Sequence, residues 1–347
     1  MKIIAEAGVN HNGSLELAKK MIDAAVEAGA DYIKFQTFQT EALVTALCEA
    51  ADYQKENAGA RSQEEMLKNL ELGYNDFKEL KEYCDSKGIG FLSTAFDEES
   101  IDFIASLKPD YMKVPSGEIT NLPFLRKMAA TGIPVIISTG MSTPEEIAKA
   151  LKPFQKAGYD SENLILLHCT TQYPAPMEDV NLLAMKSVSE NFGLPSGYSD
   201  HTLGIEIPIA AATLGASVIE KHFTLSRDME GPDHKASLEP DELAAMVKAI
   251  NNIKLALGHG VKEVKDSEKD NIIAARRSIV AARPIAKGEV ITEEDICAKR
   301  PATGLSPMLW DKVVGSKAIR DFEKDELIEI DENSGWKFGL GNLMGKS

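Results

Sequence analysis

The chain is poor in cysteine, and the four it has, Cys48, Cys84, Cys169 and Cys297, are scattered with no Cys-x-x-Cys pair. That excludes a disulfide framework and predicts reduced thiols in a reducing compartment, the cytoplasm by default. Positive charge is also scarce. Against 54 Asp and Glu stand 38 Lys and Arg, a formal net charge of −16, and such a surface repels nucleic acid and anionic lipid, so neither is expected as a partner. No run of about 18 apolar residues is present to cross a bilayer. The opening MKIIAEAGVNHNG lacks the charged start, long apolar stretch and cleavage site of a signal peptide. No internal repeat is visible.

What is present is an ordinary globular balance: 347 residues, 44% of them apolar and 27% charged, enough for a sizeable core. Short apolar runs recur, each followed by a polar or glycine-rich turn: IIAEAG, YIKFQT, GFLSTAF, YMKVPSGE, PVIISTGM, LILLHCTT, SGYSDH and SVIEKHF. Between them lie stretches with apolar residues at three- and four-residue intervals, among them 14–28, 76–87, 98–107, 143–157 and 204–214. Short buried strands alternating with amphipathic helices predict parallel βα units. Eight such units in roughly 225 residues predict a closed (β/α)8 barrel rather than an open doubly wound sheet.

The expected organisation is a barrel over residues 1–258, a polar linker over 259–275, a small β-rich module over 276–332 and a glycine-rich tail over 333–347. Residues 41–72 are too long for an ordinary connection and predict an insertion, of the kind that often forms a lid, above the second strand.

Strand ends at the C-terminal face of such a barrel converge on one site. Here they deliver Glu6, Asn10 and His11; Lys34 and Gln36; Ser93 and Thr94; Lys113, Ser116 and Glu118; Ser138 and Thr139; His168, Thr170 and Thr171; Ser199, Asp200 and His201; Glu220 and His222. Polar chemistry on all eight strands argues for a binding site. Lys34 and Lys113, with Thr94, Ser116, Ser138 and Ser199, form the set that a phosphate or carboxylate needs. They supply the local positive charge by which an acidic protein would hold an anion.

His201 and His222 belong to neighbouring strands. Two neutral imidazoles there suit Mn²⁺, Fe²⁺, Co²⁺ or Zn²⁺, while each alone would equally be a hydrogen-bonded core residue. Asp200 and Glu220 either orient the imidazoles or act directly. Lys34 or Lys113 would serve a Schiff-base lyase instead. His168 and Cys169 read as packing, and Asp233 in GPDH as a turn former or a polyol contact.

The motifs AEAGVNHNGS, KFQTF, FLSTAFD, KVPSGEITNLP, ISTGM, LLHCTTQYPAP, GYSDHT, IEKHFTL, GPDHKASLEP and KRPATG resemble, in order and spacing, the bacterial sialic acid synthases with a C-terminal antifreeze-like (SAF) domain. The likeness runs to about Ile330. It implies a metal-dependent condensation of phosphoenolpyruvate with an N-acetylated hexosamine and water, giving a nine-carbon 2-keto acid and phosphate. N-acetylmannosamine is the expected sugar, and a 2,4-diacetamido-trideoxyhexose leading to legionaminic acid is the alternative. A Schiff-base sialic acid lyase and a non-enzymatic carbohydrate binder are more distant readings.

By motif, the resemblance implies His201 and His222 as metal ligands, with Mn²⁺ first and Mg²⁺, Co²⁺ or Zn²⁺ as alternatives. Glu6 and Glu220 become candidates for proton handling. Lys34, Thr94, Lys113, Ser116, Ser138, Thr171 and Ser199 fall to phosphoenolpyruvate, although some relatives carry Asn where Thr171 stands. Gln36, Asn57, Glu118, Tyr173, Asp233 and Arg300 fall to the sugar. A domain-swapped homodimer is also implied, with Arg300 of the partner subunit reaching the barrel mouth.

Overall fold

The computed structural model describes residues 1–45 and 62–331. Eight parallel strands close into a barrel in chain order: β1 Lys2–Gly8, β2 Tyr32–Thr37, β3 Gly90–Ala95, β4 Met112–Val114, β5 Val135–Ser138, β6 Leu164–His168, β7 Ser196–Asp200 and β8 Val218–His222. β1 closes the circle on β8 with Glu6 opposite His222. The (β/α)8 expectation holds: the strands are buried on both faces, with β7 and β8 buried throughout, and each is followed by a helix that covers the outer one.

The helices begin and end where local chemistry dictates. Leu15–Ala28 opens on Ser14, whose hydroxyl accepts from the Leu17 amide, and stops at Gly29 in the left-handed region. Pro144–Lys156 opens on a reciprocal pair between Thr143 and Glu146, with Pro144 in the first turn. Their buried faces pack on outward strand residues such as Ile3, Ile33, Phe35 and Ile219 on one side and Met112, Val114, Val135 and Ile137 on the other.

Inside the barrel the alternation of each strand sets a layered filling. Ile4, Tyr32, Leu92, Ile136, Leu167 and Val218 form an apolar plug. Two residues further along their strands, the inward positions are Glu6, Lys34, Thr94, Ser138 and Glu220. The plug closes one end, so the polar layer faces the end at which the βα loops open.

The insertion differs from a bare loop. Helices Thr40–Leu43 and Gln63–Leu70 lie in it, and Met66, Leu67 and Leu70 pack with Val9 and Phe38. Apolar residues at helical spacing near its end carry that helix. Asn57 and Cys48 fall outside the described residues.

The chain divides into two compact units, Met1–Gly258 and His259–Ser347. In the second, β9 Ser278–Ala281 pairs antiparallel with β10 Ile296–Lys299 around a core that includes Ile279, Ile285, Ile291, Val313, Phe322 and Ile328. The stretch read as a polar linker is not featureless throughout. Helix Lys269–Ala275 occupies its second part and is tied to the small module by the Ala302 amide on the Ile273 carbonyl and by Arg300 Nε on that of Ala275. The tail over 333–347 lies outside the described residues. Among the described residues, no helix is long and apolar enough to cross a membrane.

Candidate active site

Alternation along β1, β2 and β8 aims Glu6, Lys34 and Glu220 at one another. Lys34 Nζ lies 2.7 Å from Glu6 Oε2 and 3.7 Å from Glu220 Oε2, and donates to Thr94 Oγ1 at 3.1 Å. Ser199 donates to Glu220 Oε1 at 2.9 Å. All five side chains are buried. Burial opposes the Lys34 charge, but Glu220 and Glu6 outweigh it and keep the ammonium protonated.

The two carboxylates part company. Burial would raise Glu220, yet Lys113, Lys34 and the Ser199 hydroxyl pull its pKa below the ordinary carboxylate value. For Glu6, burial outweighs the Lys34 ammonium at 2.7 Å and, helped by the Glu220 charge, pushes the pKa up to about 7. Near neutral pH the site therefore holds one firm carboxylate and one that exchanges a proton, the pattern by which two acids take two roles. With two lysines present, the local balance favours an anion although the chain carries −16 overall.

A second cluster forms at the ends of β4, β5 and β6. Lys113 Nζ donates to Ser138 Oγ at 2.6 Å, and burial lowers its pKa. The Gly140 amide donates to Ser116 Oγ at 3.0 Å, and that hydroxyl lies 3.3 Å from Cys169 Sγ. Thr171 Oγ1 is buried without a hydrogen-bond partner. A Cβ built on Gly140 would stand 2.2 Å from Thr171 Oγ1, 2.8 Å from Ser116 Oγ and 3.0 Å from Cys169 Sγ. The hydroxyls thus close around a glycine at which a Cβ would displace them, and an unpaired hydroxyl and a lysine at hand would suit the cluster to an anion.

The imidazoles stand at the ends of β7 and β8 with ring centroids 5.5 Å apart. His201 Nδ1 lies 2.6 Å from the Thr170 carbonyl; a carbonyl only accepts, so Nδ1 carries the proton and Nε2 keeps its lone pair. His222 Nδ1 is buried with no hydrogen-bond partner, 4.0 Å from Asp233 Oδ2. Burial lowers both histidines, His222 strongly, with the His201 and Lys34 charges adding to the effect there. Two neutral imidazoles, one orphaned ring nitrogen and a nearby carboxylate fit a divalent ion. Among the described residues, no group of three or more His, Cys, Asp or Glu side chains is arranged to hold an ion by itself, so such an ion would take its other ligands from water or substrate. Tyr173 packs its ring 4.2 Å from that of His201 and edge-on, 5.7 Å away, to that of His222. Burial raises Asp233 to a pKa of about 6.

Gln36, two residues beyond Lys34 on β2 and half-buried, reaches the same mouth: a Cβ built on Gly8 would stand 3.4 Å from Gln36 Nε2, 3.4 Å from Glu6 Oε1 and 3.5 Å from the His222 ring. Other residues read from the sequence go elsewhere. Glu118 accepts from Asn121 Nδ2 at 2.6 Å in the turn after β4. Arg300 belongs to the second unit. Ser93 faces outward and bonds Thr37 at 2.7 Å, and His168 packs edge-on against Tyr198 while its Nε2 meets the Val180 carbonyl. Cys169 is buried, with its Sγ 3.3 Å from Ser116 Oγ. Asp200 does not touch an imidazole: it pairs with Lys221 behind the strands. The Gly140 amide and Lys221 were not legible as site features. The signal for Lys221 was present, a lysine at an outward strand position where a covering helix calls for an apolar residue.

Comparison with known proteins agrees with this layout. The NeuB family model matches residues 21–262 and the SAF domain model residues 276–332. The N,N'-diacetyllegionaminic acid synthase of Campylobacter jejuni is 49% identical over 94% of this chain and 98% of its own. The enzyme of the same name from Legionella pneumophila is also 49% identical, over 91% and 89%. Among solved structures, the N-acetylneuraminic acid (sialic acid) synthetase of Leptospira borgpetersenii in complex with citrate is similar, with a TM-score of 0.69 and 38% identity over 78% of this chain and 89% of that one. The barrel with its polar mouth is that of a sugar-acid synthase, and the chain belongs to the NeuB family. It is an enzyme of the sialic acid synthase type, with a C-terminal SAF domain.

Proposed function

We propose that the enzyme condenses phosphoenolpyruvate with a 2,4-diacetamido-trideoxyhexose and water, forming a legionaminic acid and releasing phosphate. The observation that carries the condensation is the convergence of two buried lysines, a hydroxyl cradle and two neutral imidazoles at one barrel mouth. The choice of sugar rests on the 49% identity to two legionaminic acid synthases, against 38% to the sialic acid synthetase. N-acetylmannosamine, the sugar first expected, therefore takes second place.

In this reading Lys113, Ser116, Ser138, Thr171 and the Gly140 region hold the phosphate, while Lys34, Thr94 and Ser199 hold the carboxylate end. Positioned in this way, carbon 3 of phosphoenolpyruvate faces the open-chain aldehyde carbon of the sugar. A divalent ion on His201 and His222, Mn²⁺ by preference, would polarise the aldehyde oxygen. Once the carbon–carbon bond forms, carbon 2 is electron-poor and takes up water, and its bond to the phosphate oxygen then breaks. Glu220, held ionised, is suited to accept a proton from that water, and Glu6, titrating near 7, to return one to the sugar oxygen. Tyr173, Asp233, Gln36, Glu118 and Asn57 would bind the sugar. Arg300 of the partner subunit would complete the mouth in a cytoplasmic homodimer.

Mass spectrometry of the product from phosphoenolpyruvate with the diacetamido sugar, N-acetylmannosamine or its 6-phosphate, each in parallel, tests the reading. We expect turnover to favour the diacetamido sugar, to stop with chelator and to return with Mn²⁺. Preference for N-acetylmannosamine overturns the choice of sugar. A chelator-resistant enzyme trapped on a lysine by borohydride with pyruvate overturns the chemistry.

A further inference from the structure

Lys221 and Asp200 take no part in the reaction as derived, yet they lie in the two segments that carry the imidazoles. Lys221 sits on β8 between Glu220 and His222, and alternation turns it out of the barrel, where an apolar residue would ordinarily meet the helix layer. Its side chain and that of Asp200 are both fully buried, with Nζ 2.5 Å from Asp200 Oδ2. The same ammonium donates to the Thr202 carbonyl. Asp200 accepts from the Thr202 amide at 3.1 Å, and both of its oxygens lie 3.0 Å from the Thr202 hydroxyl. The residues on either side of His201 are therefore bound to each other and to the residue just before His222.

Burying two charges gives no stability advantage that a well-packed apolar pair would lack. What apolar side chains cannot supply is direction: a bond from one strand to a particular carbonyl and carboxylate on the next. The two rings have unequal support of their own. His201 is held at Nδ1 by the Thr170 carbonyl, whereas His222 Nδ1 has no hydrogen-bond partner, so beyond the edge-on packing of Tyr173 the placement of its ring depends on the strand that carries it.

We propose that the Asp200–Lys221 pair is a positioning clamp that holds β8 against the turn after β7 and thereby sets the separation of His201 and His222 for one divalent ion. This rests on the metal reading above. Lys221 is a positioning residue, since it reaches the ion only through the backbone of its neighbours.

The test is a Mn²⁺ titration of the full-length, metal-stripped protein without substrate, followed by calorimetry, on the wild type, Lys221→Met, Asp200→Asn and His222→Ala. Orienting groups behind metal ligands typically contribute about 10- to 100-fold in affinity. We expect Lys221→Met to weaken Mn²⁺ by that factor and Asp200→Asn, which keeps size and one acceptor, by less. In assays, added Mn²⁺ should restore kcat in both variants, with the KM for phosphoenolpyruvate near wild type. A clamp that served folding alone would lower the melting temperature and leave the Mn²⁺ dissociation constant unchanged, and that result overturns the inference. If Lys221→Met does not fold, an unchanged Mn²⁺ affinity in Asp200→Asn overturns it equally. Normal Mn²⁺ binding by His222→Ala would instead sink the metal reading itself.

Discussion

Replacing Gly140 by alanine probes the anion cradle with a single carbon atom. The added Cβ would meet Thr171 Oγ1 at 2.2 Å, Ser116 Oγ at 2.8 Å and Cys169 Sγ at 3.0 Å, each closer than a carbon in a packed interior tolerates. The Thr171 and Ser116 hydroxyls must turn away or the backbone must shift. Overpacking of this kind costs about 1–3 kcal/mol of stability. The functional loss is separable, because a hydrogen bond to a charged group is worth about 1.5–3 kcal/mol. One bond lost from the phosphate raises the KM for phosphoenolpyruvate roughly ten- to hundredfold. Gly117 is the matched control: a Cβ there meets nothing within 4 Å, and its backbone is not in the left-handed region. Steady-state kinetics varying phosphoenolpyruvate at saturating sugar, beside urea denaturation of both variants, decide the matter. A Gly140→Ala enzyme with wild-type KM and midpoint would refute the cradle.

Two further predictions concern titration. Burial pushes His11 down to a pKa of about 4 from 6.5, so between those values the unfolded chain takes up a proton that the native chain refuses, and stability falls as pH drops through that window. The loss approaches roughly 3 kcal/mol below pH 4. His11→Gln should flatten the urea midpoint between pH 7 and 4.5 relative to wild type, and an unaltered slope would rule His11 out. Glu6, which burial and then the Glu220 charge hold near 7 against the Lys34 ammonium, should produce a limb in the pH profile of kcat close to neutrality. Glu6→Gln should remove that limb and lower kcat about 10²- to 10⁴-fold; a variant that keeps the limb assigns it to another group.

Much of the architecture follows from periodicity alone. Eight apolar runs alternating with amphipathic stretches leave little besides a closed barrel, since a strand greasy on both faces must be covered outside and filled inside. Polar residues just beyond each run then have to share the open face, so most of the candidate site was legible as a set before any coordinates. The helix Gln63–Leu70 was missed because its apolar face packs mainly on Val9 and Phe38, contacts that a reading of the insertion by itself does not include.

Local order in the chain determined which side chains reach the barrel mouth; it did not determine which of them meet, or in what state of charge. Ser93, His168 and Asp200 are strand-end polar residues like Thr94, Thr171 and Ser199, yet alternation and register turn the first three outward. Glu6 and Glu220 are the same residue type at equivalent strand positions, and what separates their proton affinities is the distances to Lys113 and Lys34 together with the Ser199 hydroxyl that only Glu220 receives. Those distances come from the stagger of the closed sheet, and electrostatic energy inside a buried layer changes steeply over an ångström. Composition and spacing carry no record of that stagger, which packing around the whole circumference decides.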